Sequence, residues 1–120
     1  MGAWGTRPYD NDTAADWFAG ATAGVVSEIT DLLQEPISDK LYDEYRAAAW
    51  ILTKIGRTFV YDSRLLEHHL TGIHERLKTM RRDTGWIATW RNTTEIQADL
   101  DDLIQQVERV CKWNNVTVSF

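Results

Sequence analysis

The sequence contains one cysteine and two prolines among its 120 residues. Because Cys111 is alone, no internal disulfide can form, which suits a reducing compartment. No apolar run approaches the roughly 18 to 20 residues needed to cross a bilayer, and the N-terminus has neither the basic region nor the apolar core of a signal peptide. We therefore expect a cytoplasmic protein that has no membrane partner.

The motifs of common catalytic and cofactor sites are also missing. The sequence has no Gly-x-Gly-x-x-Gly pattern and no phosphate-binding loop, which removes the usual nucleotide sites. Cys111 lies beside an apolar helical stripe, and no sequence neighbour would activate it as a nucleophile. We expect no cofactor and no catalytic residues, and we favour a non-enzymatic protein.

The composition that remains is that of an ordinary globular domain. Hydrophobic residues make up 43% of the chain and charged residues 26%, and the length suits one core, so we expect a single domain over residues 1–120. The net charge of -5 is unevenly distributed. Residues 10–44 hold nine acids against Lys40, whereas residues 46–91 hold nine bases against four acids. This alternation indicates either acidic and basic helices that pack side by side and screen one another or a basic face for an anionic partner.

Apolar residues recur at steps of three and four over most of the chain, whereas strand signals are scarce. This spacing predicts an all-α fold, a compact bundle of about four principal helices after an irregular N-terminal segment. Residues 116–118 form either a short strand or a tail. The predicted helices cover residues 13–34, a segment from Ser38 or Asp39 to Ile55, a segment from Asp62 or Ser63 through Met80, and a last one that is capped by Asn92.

Two features of the first two helices concern packing. The second helix is apolar nearly all round, which favours a central place, and Trp50 lies opposite its main stripe as a second core contact or a partner anchor. Gly56 ends that helix. In the first helix, Gly20 and Gly24 indicate local weakness or a close approach of another backbone, so a homodimer stays open.

The N-terminal segment concentrates tryptophan and acidic residues. An EF-hand loop that starts at Asp10 would place alanines at its required ligand and glycine positions, so calcium is not indicated. We expect these residues to cap and close the first helix instead, because carboxylates and amides near a helix N-terminus accept its free N–H groups. The residues assigned to this structural motif are Trp4, Asp10, Asn11, Asp12 and Asp16.

The same opening, MGAWGTRPYDNDTAADW, resembles that of the small bacterial proteins grouped as domain of unknown function 4259. Those proteins begin Met-Gly-Thr/Ala-Trp-Gly and continue with an aromatic-Asp-Asn/Ser-Asp run and an Ala-rich helix start. The chain departs from this pattern at Arg7 and Pro8, where a glycine and a small or varied residue are usual. The resemblance implies a bacterial, intracellular protein, and it implies no activity.

The histidines are the only cluster that is similar to metal chemistry. On one helix His68, His69 and His74 point in three directions, so they cannot share an ion. We interpret His69 and His74 as partly buried structural residues. The alternative is a metal-dependent hydrolase or small-ligand protein in which His69 or His74 meets a carboxylate from another helix, such as Asp10, Asp12 or Asp16.

Our leading hypothesis is a protein-binding module, similar in role to an immunity factor or antitoxin, that recognises a basic partner protein. The acidic block, the tryptophans near Arg82 and Arg91, and the lack of a convergent catalytic set favour it. Overall acidity argues against nucleic acid, so the basic run at residues 76–82 is interpreted as a solvated helix end. The predicted partner-binding residues are Asp31, Glu35, Asp39, Asp43, Trp86 and Trp90.

Overall fold

The computed structural model describes residues 12–56 and 61–118, with the backbone alone for residues 12–16, 18 and 19. This part of the chain contains helices and no strand, which confirms the all-α prediction. Four long helices form the bundle, and a fifth helix of one turn connects two of them. The helices are α1 (Asp12–Gln34), α2 (Tyr42–Ile55), α3 (Ser63–Arg82), α4 (Thr84–Ile87) and α5 (Thr93–Trp113), and a 3-10 turn over Asp39–Leu41 precedes α2.

Side-chain caps begin α3, α5 and the 3-10 turn at the predicted residues, whereas α2 itself begins at Tyr42 without a side-chain cap. The Asp62 carboxylate accepts hydrogen bonds from two free N–H groups at the start of α3. The Asn92 side chain accepts one from the N–H of Glu95 at 3.0 Å, and the Ser38 hydroxyl caps the 3-10 turn. Each cap satisfies a donor that the helix itself leaves unpaired. These bonds span two or three residues, so the sequence specifies them locally.

Helix α3 lies at the centre of the bundle, in contact with α1, α2, α4 and α5. Helical spacing gives α3 one apolar stripe, which is fully buried because neighbouring helices cover this face along its whole length. The stripe consists of Leu66, Leu70, Ile73, Leu77 and Met80, each no more than 1% exposed.

The prediction of a central α2 was wrong. Tyr45, Ala49 and Leu52 are buried against the core, but Trp50 is 58% exposed and Ala47 is also exposed. Helix α2 packs on α3 and α5, with a smaller contact to α1, and nothing in the described part of the chain covers its outer side. The apolar residues on that side therefore face solvent.

Helix α1 packs on the bundle through its C-terminal half. Ile29 is 3% exposed, whereas Ala21, which belongs to the predicted stripe, is exposed. A methyl group added at Gly20 or Gly24 would meet no described atom within 4 Å. No backbone among the described residues approaches either glycine, and α1 continues unbroken through both.

The ends of α2 and α5 meet at Gly56. A Cβ atom there would lie 2.5 Å from the Leu52 carbonyl oxygen and 2.9 Å from Cγ1 of Val110. Since Gly56 has a φ of -70°, its small size and not a left-handed backbone is what this position requires. The predicted helix end at Gly56 is confirmed, and a side chain there would clash with the Leu52 carbonyl of α2 and with Val110 of α5.

Residues 116–118 form a tail and not a strand. Asn115 has a φ of 57°, and the N–H of Val116 donates to the Cys111 carbonyl at 2.8 Å. This left-handed ending reverses the chain after the helix. Val118 consequently returns to the core with 7% exposure, and Thr117 lies against α3.

Among the residues that the structure describes, none of the helices is long and apolar enough to cross a bilayer.

Candidate interaction surface

The side chains on the outer side of α2 form a ridge that does not pack in the core. Helical spacing places Ala47, Trp50 and Lys54 on this side, away from the buried Tyr45 and Leu52. The Lys54 ammonium lies 5.4 Å from the centroid of the Trp50 ring, close enough for a cation–π contact. We call the exposed side of α2 together with the depressions on its two flanks the α2 surface.

On one flank, a groove of about 300 Å³ separates α1 from α2. Its floor is apolar, and the only charged residues that line it are Glu28 on α1 and Glu44 on α2. Both carboxylates are exposed, and neither forms an ion pair with the described residues. The apolar lining consists of Val25, Ile29, Leu32, Ala47, Ala48 and Ile51.

On the other flank, a hollow of about 440 Å³ lies between α2 and α5. Trp50 and Leu103 supply its apolar surface, and three carboxylates line it against one base, Arg46. Arg46 approaches Asp43 at 3.9 Å, a distance at which the ion pair is weak, and its guanidinium also lies 5.2 Å from the Trp90 ring centroid. The three carboxylates are those of Asp43, Asp99 and Asp102.

The four predicted acids are all exposed, although they do not converge on one point. On α1, Asp31 follows Glu28 after three residues, so it extends the acidic edge of the groove by one turn, and Glu35 directly follows the end of the helix. Asp39 begins the 3-10 turn, where a negative charge complements the helix N-terminus. Asp43 lines the hollow between α2 and α5.

Trp86 and Trp90 belong to an aromatic cluster at the α4 end of the bundle. The Trp86 ring is half-buried between Tyr42 at 5.0 Å and Trp90 at 5.7 Å. Tyr42 donates a hydrogen bond to Asp83, which also caps α4. Burial and the Asp83 carboxylate raise the pKa of Tyr42 to about 12, whereas the hydrogen bonds from Trp86 N–H and Tyr42 lower the pKa of Asp83. Trp90, at 37% exposed, is the member that reaches the surface.

His69 lies in a buried polar chain that connects α1 to α3. Its Nε2 lies 2.8 Å from the Thr30 hydroxyl, which itself donates to the Val26 carbonyl, so the imidazole donates from Nε2. Nδ1 then accepts from the Tyr61 hydroxyl. Burial, followed by the nearby His68, lowers the pKa of His69 to about 4, so the ring is neutral at pH 7.

His74 has a different neighbourhood on the same helix. It is 3% exposed, and its Nε2 donates to Oε2 of Glu108 on α5 at 2.8 Å. A carboxylate from another helix therefore does contact a histidine, and that carboxylate belongs to Glu108. The structure does not bring His69 and His74 together, and the described residues include no group of three or more potential metal ligands.

The residues of the predicted N-terminal motif are only partly described. Trp4, Asp10 and Asn11 lie outside the described residues, and the same holds for the side chains of Asp12 and Asp16. The backbone shows α1 beginning at Asp12, one residue before the predicted start. The capping role of these residues stays a prediction.

Sequence reasoning missed several members of the α2 surface. It identified Trp50 by its position opposite the α2 stripe, but it did not assign Glu44 to the groove or Asp99 and Asp102 to the hollow. The signal for Glu44 was available, since it lies one turn before Ala47 and Ala48 on α2. No local signal assigns Asp99 and Asp102 to the side of α5 that faces α2, because this depends on how the two helices pack.

The chain was compared with protein families, curated proteins and solved structures. The family model described as "Domain of unknown function (DUF4259)" matches residues 2–114. No curated protein and no solved structure matches the chain. The match covers nearly the whole sequence and confirms the resemblance that the N-terminal residues indicated. The chain therefore belongs to the DUF4259 family, a family of unknown function.

Proposed function

We propose that this chain is a non-enzymatic protein-binding module that docks a basic segment of another protein on the α2 surface. The observation on which the proposal rests is the apolar groove between α1 and α2, which has carboxylates at its edges and no base in its lining. The 58% exposed Trp50 lies beside this groove on the same helix.

The apolar part of the surface supplies affinity. Groove floors and exposed tryptophans are the features that most often anchor a partner, because burying them removes apolar area from water. An amphipathic helix could place its apolar side chains in the groove and cover Trp50 as it crosses α2. The groove has a volume of about 300 Å³, which accommodates a few such side chains, so the partner element is a short segment.

The charge of the surface selects the partner. Glu28 and Glu44 border the groove, and Asp43, Asp99 and Asp102 line the hollow, with Arg46 as the one base in either lining. A basic segment would meet complementary charge on both flanks of α2, which favours correct partners and speeds association. Such a module could act as an immunity or antitoxin-like factor that masks a basic surface of a toxin in the bacterial cytoplasm.

The test is affinity capture from native lysate with matched charge reversals. The Glu28→Lys/Glu44→Lys variant changes the groove edges, and Glu67→Lys/Glu75→Lys makes the same charge change on two exposed acids of α3. We expect a stoichiometric basic partner that the wild type and the α3 variant retain and the groove variant loses. Circular dichroism checks that both variants are folded.

Each other outcome argues against the proposal. A partner that all variants retain would show that the α2 surface is not the interface, and a partner lost from both variants would indicate dependence on net charge alone. A captured protein without a basic segment would contradict the chemistry that we propose. The fourfold reversal of Asp31, Glu35, Asp39 and Asp43 tests the acids that the sequence indicated.

A further inference from the structure

A third depression, of about 440 Å³, lies on a different side of the bundle, between α3 and the tail after α5. Its lining is polar, and most of the lining residues lie on two adjacent faces of α3. The lining residues are Thr71, His74, Glu75, Lys78, Thr79, Arg82, Thr117 and Val118. The α2 surface shares none of these residues.

The four bases in the C-terminal half of α3 divide into two groups by their partners. Arg76 is turned inward, where it donates to the Leu33 carbonyl at the end of α1, and Arg81 forms a two-bond ion pair with Asp101. Lys78 and Arg82 form no hydrogen bond or ion pair with the described residues, although acids lie nearby. The chain therefore leaves two cations, one helical turn apart, on the same depression.

A buried histidine completes the row. His74, Lys78 and Arg82 follow one another at steps of four, so they lie on one line along α3. The His74 side chain is 4% exposed, and Glu108 fixes its ring through Nε2. The other ring nitrogen, Nδ1, has no hydrogen-bond partner among the described residues, and the ring lines the depression.

From this arrangement we propose that the depression between α3 and the tail binds a small organic phosphate. Lys78 and Arg82 pair with the phosphate oxygens through charge-assisted hydrogen bonds. The hydroxyls of Thr71 and Thr117 bind the same ligand, Nδ1 of His74 accepts from a hydroxyl of its organic part, and the Glu75 carboxylate accepts from another. The depression is within the size range of small-molecule sites.

The experiment is a titration of the ¹⁵N-labelled full chain at constant ionic strength. The probes are glycerol 3-phosphate, inorganic phosphate, glycerol and chloride. We expect saturable amide shifts confined to residues 71–82 and 117–118, with glycerol 3-phosphate tighter than inorganic phosphate and no saturation by glycerol or chloride. Tighter binding of inorganic phosphate would identify the free ion as the ligand and overturn the organic part of the proposal.

Matched variants decide whether the two cations form the site. Lys78→Gln/Arg82→Gln removes both, and we expect it to weaken binding by at least about tenfold. Arg64→Gln/Lys112→Gln removes the same net charge at two exposed positions away from the depression and should change affinity less than about twofold. Equal loss in both variants, unchanged binding in the first, or shifts spread over the whole chain would overturn the proposal.

Discussion

At the scale of single residues, the hydrogen bonds that connect Tyr61, His69 and Thr30 are the clearest case in which burial controls the protonation of a side chain. The imidazole accepts at Nδ1 and donates at Nε2, and both atoms are shielded from water. A second proton on Nδ1 would oppose the Tyr61 O–H donor, in addition to the cost of a buried charge. The folded protein therefore keeps His69 neutral well below the pH at which a free histidine takes up a proton.

We predict a loss of stability with acid that depends on His69. The unfolded imidazole takes up its proton near pH 6.5 and the folded one near pH 4, so the unfolded state binds more protons between these values. The free energy of unfolding should fall as the pH falls through this window, by about 1.3 kcal/mol between pH 7.5 and pH 5.5. Urea unfolding at both pH values measures this change in the free energy of unfolding.

Two variants separate this contribution from those of other groups. His69→Asn should be less stable at pH 7.5 and should lose most of the pH dependence, whereas His68→Gln, at an exposed neighbour, should keep it. An undiminished dependence in His69→Asn would assign the effect to another residue.

The sequence predicted single residues well where their bonds are local. The cap bonds of Asp62 and Asn92 close within three residues, so residue type and spacing were sufficient. The contact of His69 with Thr30 spans 39 residues, and that of His74 with Glu108 spans 34. No local pattern encodes such pairs, because they depend on which helix faces cross in space.

At the scale of elements, the apolar spacing predicted α3 and α5 correctly as helices, but it wrongly predicted a central position for α2. The run Ala47-Ala48-Ala49-Trp50-Ile51-Leu52 has apolar residues on all sides, and periodicity alone cannot tell a central helix from one with an exposed apolar side. The structure buries Leu52 and leaves Trp50 exposed. This excess of apolar residues is what makes α2 a candidate for binding.

Helix α1 gives a prediction that concerns the whole element. Gly20 and Gly24 lie in open space within a continuous helix, and a glycine there costs about 1 kcal/mol relative to alanine. Gly20→Ala/Gly24→Ala should therefore raise the free energy of unfolding by up to about 2 kcal/mol, as measured by urea unfolding.

The same variant tests the homodimer that the two glycines left open. If a second copy packs its backbone against them, the alanines would weaken that contact, and sedimentation would show a dimer in the wild type that the variant loses. A monomer in both proteins, with a more stable variant, would agree with the open space that surrounds these positions.

At the scale of the whole molecule, close ion pairs between helices are few among the described residues. Among the described residues, the ion pair of Arg81 with Asp101 and the hydrogen bond of His74 to Glu108 join two helices, and both join α3 to α5. No described pair joins a base of α3 to an acid of α1 or α2. The acidic charge around the α2 surface is therefore directed to solvent, as a surface for a basic partner requires.

The measurement that tests this account most directly is the dissociation constant of the captured basic partner for two tryptophan variants. Trp50 and Trp113 are similarly exposed, at 58% and 55%, but only Trp50 belongs to the α2 surface. We predict that Trp50→Ser weakens binding by at least about 30-fold, as expected for an anchor worth roughly 2 kcal/mol, and that Trp113→Ser changes it less than about threefold. Unchanged affinity in a folded Trp50→Ser variant would contradict the account.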